Sequence, residues 1–382
     1  MLGTEIRWRI DPREYDLFVG MDVDKKQIAN SVFDQGAFMK SVSMRNEPRA
    51  LVSYIKNNYP GKRVAFAYEA GPTGYELHDE IEKAGYPCLV LPSSMIPTSP
   101  GMRVKTNRLD SRKIGISLRG GELRGIRVPT ESYRQLRHLV SLRELYVKED
   151  VRLKCRMKSL FLFEGMTFPE GDWSQKLLRA LETLECKREI RFKLDQLLKT
   201  IRHIEEQIKE TTREIQRFCR EDEDLKRYEE LLRSLPGIGH TISVYLMARL
   251  GDYRQMRSGE EIASFFGLVP RERSTGDVVR RGPITKSGDG RVRNKLIQCA
   301  WVAIQKDGEL AEFYERIYQK NPKAIAAKKA IVAVARKICH RMASVLREER
   351  PYLIRTKVKE GTASTRTDSG NRRTREEILE VR

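Results

Sequence analysis

The apolar residues of this chain follow one pattern before Thr130 and a different pattern after it. Before Thr130, short apolar runs alternate with segments of helical spacing. After Thr130, long polar segments carry apolar residues at steps of three and four, which is typical of amphipathic helices. Strands alternating with helices build a sheet with covering helices, whereas long amphipathic helices pack on one another. We therefore expect an α/β domain followed by a helical remainder.

The first 130 residues contain the signals of a mixed sheet. An apolar run, a charged turn and a second apolar run over Tyr15–Ser31 predict a β-hairpin. A strand, a helix and a second strand follow as a β-α-β unit, with Gly71 to Gly74 as the break after the first strand. The three segments of this unit are Arg63–Tyr68, Tyr75–Ala84 and Tyr86–Leu91. A helix is expected from Leu109 to about Gly120, and a short strand over Ile126–Val128.

The remainder divides into three further segments. Residues 131–230 are expected to form a helical, coiled-coil domain that begins with a helix over Glu131–Phe163. Between Ile190 and Leu225 the apolar residues recur in the pattern of a coiled-coil seam. A mostly helical C-terminal domain is expected over residues 231–350. The basic tail over residues 351–382 is rich in Thr, Ser, Arg and Gly, so we expect it to be disordered.

The charge balance points to a polyanionic partner. Lysine and arginine number 73 against 53 acidic residues, which gives a net charge of +20 at pH 7. Such an excess favours nucleic acid as the partner. Hydrophobic residues make up 40% of the chain, which excludes global disorder. No apolar run approaches the roughly 20 residues that cross a bilayer, and Met1 to Ile10 lacks a secretory signal, so we expect a cytoplasmic, nucleoid-associated protein without a membrane contact.

Three acidic residues are candidates for one site. Asp22 lies within the first strand, and Glu69 ends the strand that precedes the Gly-Pro turn. Asp110 lies at the start of the helix that follows the last strand of the unit. Alone, Asp22 is explained by a solvated strand end and Asp110 by a helix N-terminus, which favours acidic residues. Together they indicate a Mg²⁺ or Mn²⁺ site, because hard cations need oxygen ligands and such ions promote phosphodiester chemistry.

The order of these residues carries a resemblance to a known family. A hairpin aspartate, a strand-end glutamate before Gly-Pro-x-Gly, and Lys-Thr-x-x-x-Asp resemble the insertion-sequence transposases of the DEDD type. That family includes the Piv-like DNA invertases and the bridge-RNA-guided serine recombinases. The resemblance implies an RNase H-like (RuvC-like) N-terminal domain and a metal-binding tetrad of Asp, Glu and Asp-x-x-Asp. In this chain the tetrad positions are Asp22, Glu69, Asn107 and Asp110.

Asn107 departs from the pattern of the family, which has aspartate at this position. An amide oxygen can bind a metal but carries no charge, so the change should weaken binding of a divalent ion. Three interpretations stay open. Three acidic residues are enough for the metal site, another carboxylate takes the place of the missing one, or this copy of the protein is impaired in catalysis.

The resemblance continues into the C-terminal domain and covers roughly residues 15–345. It rests on Leu235-Pro-Gly-Ile-Gly, on the segment from Gly267 to Gly276, and on Arg280 to Lys286. In the family, a serine just before the glycine of this loop forms a covalent phosphoserine link with DNA. Ser274 is the nearest serine, and Thr275 directly before Gly276 is the alternative, since both are hydroxyl nucleophiles. Without the family, an ST-turn in a polar loop would explain both residues.

Basic residues surround this loop. They are expected to contact phosphates, and they are Arg271, Arg273, Arg280, Arg281, Lys286, Arg291 and Arg293. The segment Leu235 to His240 resembles a helix-hairpin-helix turn whose amides face a DNA phosphate. An ordinary glycine-rich helix connection is an equally good explanation.

These observations predict a DNA transposase or recombinase that cleaves and rejoins strands through a serine-phosphodiester intermediate at a Mg²⁺-dependent acidic site. The resemblance further implies a bridge RNA as guide, donor and target DNA as substrates, and assembly as a homodimer or homotetramer. Two alternatives remain. The chain could be a degenerate nucleic-acid-binding protein disabled by Asn107, or a metal-dependent junction nuclease that uses water and does not need Ser274.

Overall fold

The structure, a computed structural model, describes residues 9–96, 107–256, 258–275 and 278–354. The chain divides into two compact units, with the boundary between Thr130 and Glu131. Each unit has hydrophobic cores of its own. Among the described residues, no helix is both long enough and apolar enough to cross a membrane.

In its described residues, the N-terminal unit contains five strands and three α-helices. In chain order they are β1 (Leu17–Val23), β2 (Gln27–Asp34), β3 (Phe38–Arg45), α1 (Pro48–Asn58), β4 (Val64–Glu69), α2 (Glu76–Lys83), β5 (Cys88–Leu91) and α3 (Asn107–Arg119). The strand order of the sheet is β3-β2-β1-β4-β5. Strands β1, β2 and β3 are antiparallel neighbours, while β4 pairs in parallel with β1 and β5 in parallel with β4.

Strand β1 is central in the sheet, and most of it is buried on both faces. Val19 and Met21 pack in the core that contains helices α1 and α2. Phe18 packs on the opposite face, in the core that contains Ile114 and Leu118 of α3. A strand covered on both faces needs a nearly continuous apolar run, and the run from Leu17 to Met21 supplies it.

The structure confirms a mixed α/β N-terminal fold. The predicted hairpin and β-α-β unit are present, and α3 covers the predicted helix. Strand β3 and helix α1, which lie between these units, were not predicted. The predicted strand over Ile126–Val128 is wrong: the Ile126 amide donates to the Val90 carbonyl at 2.7 Å, but no ladder forms. Pro129 follows directly, and proline has no N–H to extend such a ladder.

Two long helices open the C-terminal unit and pack antiparallel. They are α4 (Glu131–Phe163) and α6 (Arg188–Glu221), and the short α5 (Gln175–Glu182) precedes α6. Lys154 of α4 lies between Asp150 and Glu205, at 2.8 and 2.9 Å, and so links the two helices. Leu198 and Ile201 of α6 are buried in the core that α4 and α5 complete.

The helix over Glu131–Phe163 is therefore confirmed, but the predicted seam differs in two respects. Its buried residues are covered by α4 of the same chain, so this face is already occupied. The seam also does not run as one helix to Leu225, because α6 ends at Glu221. The Asp222 side chain then accepts a hydrogen bond from the Leu225 amide and caps the next helix.

The rest of the described chain forms one helical core with a small two-stranded sheet. Its elements are α7 (Glu223–Arg233), α8 (His240–Leu250), α9 (Gly259–Phe265), β6 (Pro270–Thr275), β7 (Val278–Ile284), α10 (Gly290–Lys306), α11 (Gly308–Gln319) and α12 (Lys323–Glu348). The described part of residues 231–350 is mostly helical, as expected, and its last helix ends at Glu348. The predicted disordered tail lies outside the described residues from Arg355 onward.

Candidate active site

Asp22 and Glu69 are neighbours at the carboxyl ends of two parallel strands. The register of β1 and β4 pairs Met21 with Tyr68, and the next residue of each strand is the acidic one. Adjacent strands are about 4.8 Å apart. Both acidic residues are partly exposed. The sheet therefore brings these two carboxylates to one edge, where ligands of open α/β sheets bind.

Both carboxylates are on the face of the sheet that α3 covers. Side chains alternate between the faces along a strand. Asp22 is in phase with Gly20, whose backbone lies against α3. Glu69 is in phase with Ala65 and Ala67, which pack in the core that contains α3. Asp22 and Glu69 therefore share the face of the sheet on which α3 packs.

Helix α3 runs antiparallel to β1, so its first turn lies toward the acidic edge. Ser111 Oγ lies 2.8 Å from Ser31 Oγ of β2. One turn later in α3, a Cβ on Gly115 would lie 2.4 Å from the ring of Phe33. Because β2 is antiparallel to β1, the step from Phe33 to Ser31 is a step toward the carboxyl end of β1. The first residues of α3 extend further in this direction.

Asp110, in the first turn of α3, already has a cationic partner. Its Oδ1 atom accepts a hydrogen bond from Lys113 Nζ at 3.1 Å, and the two side chains are 17% and 25% exposed. Asn107, the first residue of the helix, is exposed. Lys113 was not among the predicted site residues, although its position three residues after Asp110 in a helix was a usable signal.

The donor atoms at this edge suit a hard divalent cation, since carboxylate and amide oxygens are the ligands that Mg²⁺ and Mn²⁺ prefer. The side chains are not gathered into one coordination sphere, however. Within the described part of the chain, no three His, Cys, Asp or Glu residues form a group that could hold a metal ion. An ion bound here would share the Asp110 carboxylate with the Lys113 ammonium or replace it, since the hydrogen bond from Lys113 uses only one of the two carboxylate oxygens.

Ser274 and Thr275 are the last two residues of β6. In the hairpin Ser274 pairs with Val279, and Thr275 pairs with Val278 of β7. The expectation of a polar loop is therefore corrected at these positions, because the strand ends only at Thr275. Backbone hydrogen bonds to β7 provide a pairing that the local composition did not indicate.

The basic residues that were predicted to contact phosphates divide into those engaged with other groups of the chain and those of the β6–β7 hairpin. Arg291 forms an ion pair with Glu144 at 2.9 Å, and Arg293 donates to three backbone carbonyls, the shortest bond being 2.8 Å to Ser287. These two guanidinium groups are engaged within the chain. Arg271 and Lys286 are exposed at the base of the hairpin. Arg273, Arg280 and Arg281 belong to β6 and β7.

The glycine turn before α8 is packed against another helix. Gly237 has a φ of +85°, and a Cβ there would lie 2.4 Å from the Cys299 carbonyl oxygen of α10. His240, the first residue of α8, places Nδ1 2.7 Å from a carboxylate oxygen of Glu229. A close helix contact therefore accounts for Gly237, which favours the glycine-rich connection over a phosphate-binding turn.

Comparisons with known proteins identify the family. Residues 19–164 match a family model described as a transposase, and residues 229–315 match the model of the transposase IS116/IS110/IS902 family. "Putative transposase y4qE" of Sinorhizobium fredii (strain NBRC 101917 / NGR234) is 32% identical over 294 residues, which cover 75% of this chain and 71% of the relative. The chain belongs to the IS116/IS110/IS902 transposase family. The first match contains all four tetrad positions, and the second contains Ser274 and Thr275.

Other relatives of the family cover smaller parts. The transposase for insertion sequence element IS1328 of Yersinia enterocolitica is 31% identical over 48% of this chain and 55% of its own length. The pilin gene-inverting protein of Moraxella bovis is 28% identical over 40% of this chain and 47% of its own length. Among solved structures, Thermus thermophilus RuvC aligns with 29% of this chain and 99% of its own length, at 10% identity and a TM-score of 0.22.

Proposed function

We propose that this chain cleaves and rejoins DNA through a serine-phosphodiester link, with a divalent metal ion at the acidic edge of an RNase H-like domain. The observation that carries the proposal is the arrangement of Asp22, Glu69 and the first turn of α3 at one edge of the sheet. Membership of the transposase family supports the same reading. The net charge of +20 agrees with DNA as the substrate.

The acidic residues would hold Mg²⁺ or Mn²⁺. Asp22, Glu69 and Asp110 would supply carboxylate oxygens, and Asn107 an amide oxygen. When bound, such an ion polarises the phosphate and lowers the barrier to removing a hydroxyl proton. Lys113 would then lose Asp110 as its partner and could interact with the DNA backbone.

Ser274 would attack the phosphorus atom of the scissile phosphodiester. Its hydroxyl is a weak nucleophile until the proton is removed. The new bond joins Ser274 Oγ to phosphorus, and the bond from phosphorus to the deoxyribose oxygen breaks, with that oxygen accepting a proton. In the rejoining step, a deoxyribose hydroxyl of another strand attacks the phosphoserine and Ser274 recovers its hydroxyl. Thr275 is the alternative nucleophile.

A bridge RNA and a homodimer or homotetramer complete the proposal. Both follow from the resemblance to the bridge-RNA-guided members, and a basic chain is compatible with an RNA partner as well as DNA. A protein acting on chromosomal DNA would work in the cytoplasm at the nucleoid.

The test is a search for a covalent protein-DNA adduct. The full chain, with its copurifying RNA and Mg²⁺, is incubated with labelled DNA carrying the ends of its element, and products are separated under denaturing conditions. We expect an adduct that disappears in both Ser274→Ala and Asp22→Ala. Mg²⁺-dependent nicking that persists in Ser274→Ala would indicate a nuclease that uses water. Binding without adduct or nicking would contradict an active enzyme.

A second candidate function is favoured by Asn107, which removes one charge from the tetrad. In that case the chain binds nucleic acid without cleaving it. The variant Asn107→Asp distinguishes the active enzyme from the nucleic-acid-binding protein. A restored carboxylate near a protein surface should raise the affinity for the metal on the order of tenfold. An adduct that forms only in Asn107→Asp would identify a degenerate transposase, whereas equal adduct formation would show that three acids suffice.

A further inference from the structure

A large apolar groove lies in the C-terminal unit between the β6–β7 hairpin and helices α11 and α12. Its cavity measures about 590 Å³. The walls include Leu268, Ile284, Phe313, Ile325 and Val332. Ile325 is 41% exposed although it is apolar. A concave apolar surface of this size costs free energy in water unless something covers it.

The rim of the groove is positively charged. Lys328, Lys329 and Lys337 all line the cavity and are exposed. Among the described residues none of these lysines has a carboxylate partner, whereas Arg336, on the same rim, is paired with Glu260 at 2.5 Å. The occupant that fits this surface is therefore apolar in the middle and acidic at its flanks. A nucleic acid backbone fits poorly, because it offers charge without apolar side chains.

The described chain leaves the core beside this groove. A second cavity of about 600 Å³ is lined by Tyr352 and Leu353, and it shares Lys337 and His340 with the groove. Leu353 is 75% exposed. The residues that follow Ile354 thus start next to the groove, on the side where the two cavities meet.

The sequence that follows contains one segment with the required composition. Glu376-Glu377-Ile378-Leu379-Glu380-Val381 combines three acidic with three branched apolar residues. Residues 355–375 separate this segment from the described chain. A chain of that length can reach on the order of 70 Å when extended, at up to 3.3–3.6 Å per residue. Reach therefore does not limit return of the segment to the groove.

We propose that Glu376–Val381 docks in this groove of its own chain, with Ile378 and Leu379 against the apolar walls and the glutamates beside the three lysines. One wall, Gly282 to Ile284, belongs to the strand that pairs with the Ser274 strand. The docked segment would brace the base of the hairpin. This inference stands apart from the chemistry proposed for Ser274 and does not depend on it.

Site-specific photocrosslinking of the full chain tests the docking. Ile325 is replaced by p-benzoylphenylalanine, and its exposure makes the substitution compatible with folding. After irradiation and trypsin digestion, we expect the fragment that follows Arg375 to be joined to the α12 fragment. The matched control places the same probe at Val302 on α10, which is 38% exposed and outside the groove. That control should not capture the fragment.

Further variants of the tail and of the groove, made in the protein that carries the probe at position 325, test which side chains the docking depends on. Leu379→Asp should abolish the crosslink, whereas Val358→Asp, in the same tail but outside the segment, should leave it intact. The pair Lys328→Glu and Lys329→Glu should reduce the crosslink, and adding Glu376→Lys and Glu377→Lys should recover it.

Mixed samples of unlabelled and ¹⁵N-labelled chains distinguish docking within one chain from docking between chains. The proposal is supported if the two fragments of every crosslinked pair are either both labelled or both unlabelled. Crosslinks that also join a labelled to an unlabelled chain, in the proportion that random pairing gives, would overturn it in favour of a second copy as the occupant. Capture of a different segment or of nucleic acid, or a crosslink unchanged by Leu379→Asp, would also overturn it.

Discussion

The backbone of Gly20 in β1 lies so close to the backbone of Gly115 in α3 that a Cβ on Gly20 would be 2.2 Å from the Gly115 nitrogen. The same Cβ would be 2.3 Å from the Ser111 carbonyl oxygen. Both clashes involve backbone, which cannot rotate away. This contact sets how near the first turn of α3 comes to the acidic edge of the sheet.

Gly20→Ala should therefore push α3 away from β1. We expect the free energy of unfolding to fall by about 1–3 kcal/mol, the usual cost of overpacking, and adduct formation to fall with it because Asp110 moves. Urea denaturation followed by circular dichroism measures the stability. The control is Gly36→Ala in the exposed β2–β3 turn, where the nearest atom to a Cβ is 3.7 Å away. Equal stability of the two variants would contradict the tight contact.

Lys113→Met should make the acidic edge bind divalent ions more readily. The ammonium group competes with a metal for Asp110, so its removal should lower the Mg²⁺ concentration that gives half-maximal adduct. Electron paramagnetic resonance measures the affinity of the site for Mn²⁺ independently of catalysis. Lys113→Arg keeps the charge and should behave like the wild type. Weaker ion binding in Lys113→Met would show that the lysine assists the site instead.

Ser274→Ala and Thr275→Ala should have different effects, although the two residues are adjacent in β6. If Ser274 is the nucleophile, its alanine variant forms no adduct, while Thr275→Ala retains it. Mass spectrometry of the nuclease-trimmed adduct locates the phosphorylated residue directly. Retention of the adduct in Ser274→Ala, with its loss in Thr275→Ala, would move the attacking hydroxyl to Thr275.

Asp307 should contribute stability that depends on pH. Its side chain is 1% exposed and accepts hydrogen bonds from Arg341 and Tyr352, both at 2.6 Å. Burial raises the pKa of Asp307, but the bonds from Tyr352, the Leu310 amide and Arg341 outweigh it and hold the pKa below its usual value of 3.8. Since the folded pKa is lowered, this contribution is complete above about pH 4 and is lost as the pH falls through the folded pKa.

Asp307→Ala should therefore cost about 3 kcal/mol at pH 7, as expected when a buried ion pair loses one partner. The difference from the wild type should shrink as the pH falls below 4. Glu309→Ala is the matched control, because Glu309 contacts the same arginine at 2.9 Å but is 46% exposed, so the cost should be below about 1 kcal/mol. Urea titrations at several pH values measure both variants. A difference independent of pH would contradict a charged Asp307.

The local elements were predictable where hydrophobic periodicity is strong. The β1–β2 hairpin and helix α4 follow from apolar spacing, because each buries the side that the spacing defines. Strand β3 was not predicted, since it is an edge strand that has exposed polar residues such as Lys40 and Ser43 and no fully buried residue. Strands β6 and β7 were missed for a related reason: Arg271 to Thr275 is polar throughout, and its strand is stabilised by pairing with β7.

The sequence alone determined which residues are available for chemistry: the acidic positions Asp22, Glu69 and Asp110, the amide at Asn107 and the adjacent hydroxyls of Ser274 and Thr275. Only the tertiary structure decided which of them are neighbours. The parallel register of β1 and β4 brings Asp22 beside Glu69, and the glycine contact brings the first turn of α3 toward them. Register and helix approach depend on contacts between residues far apart in the chain, and local periodicity contains no information about them.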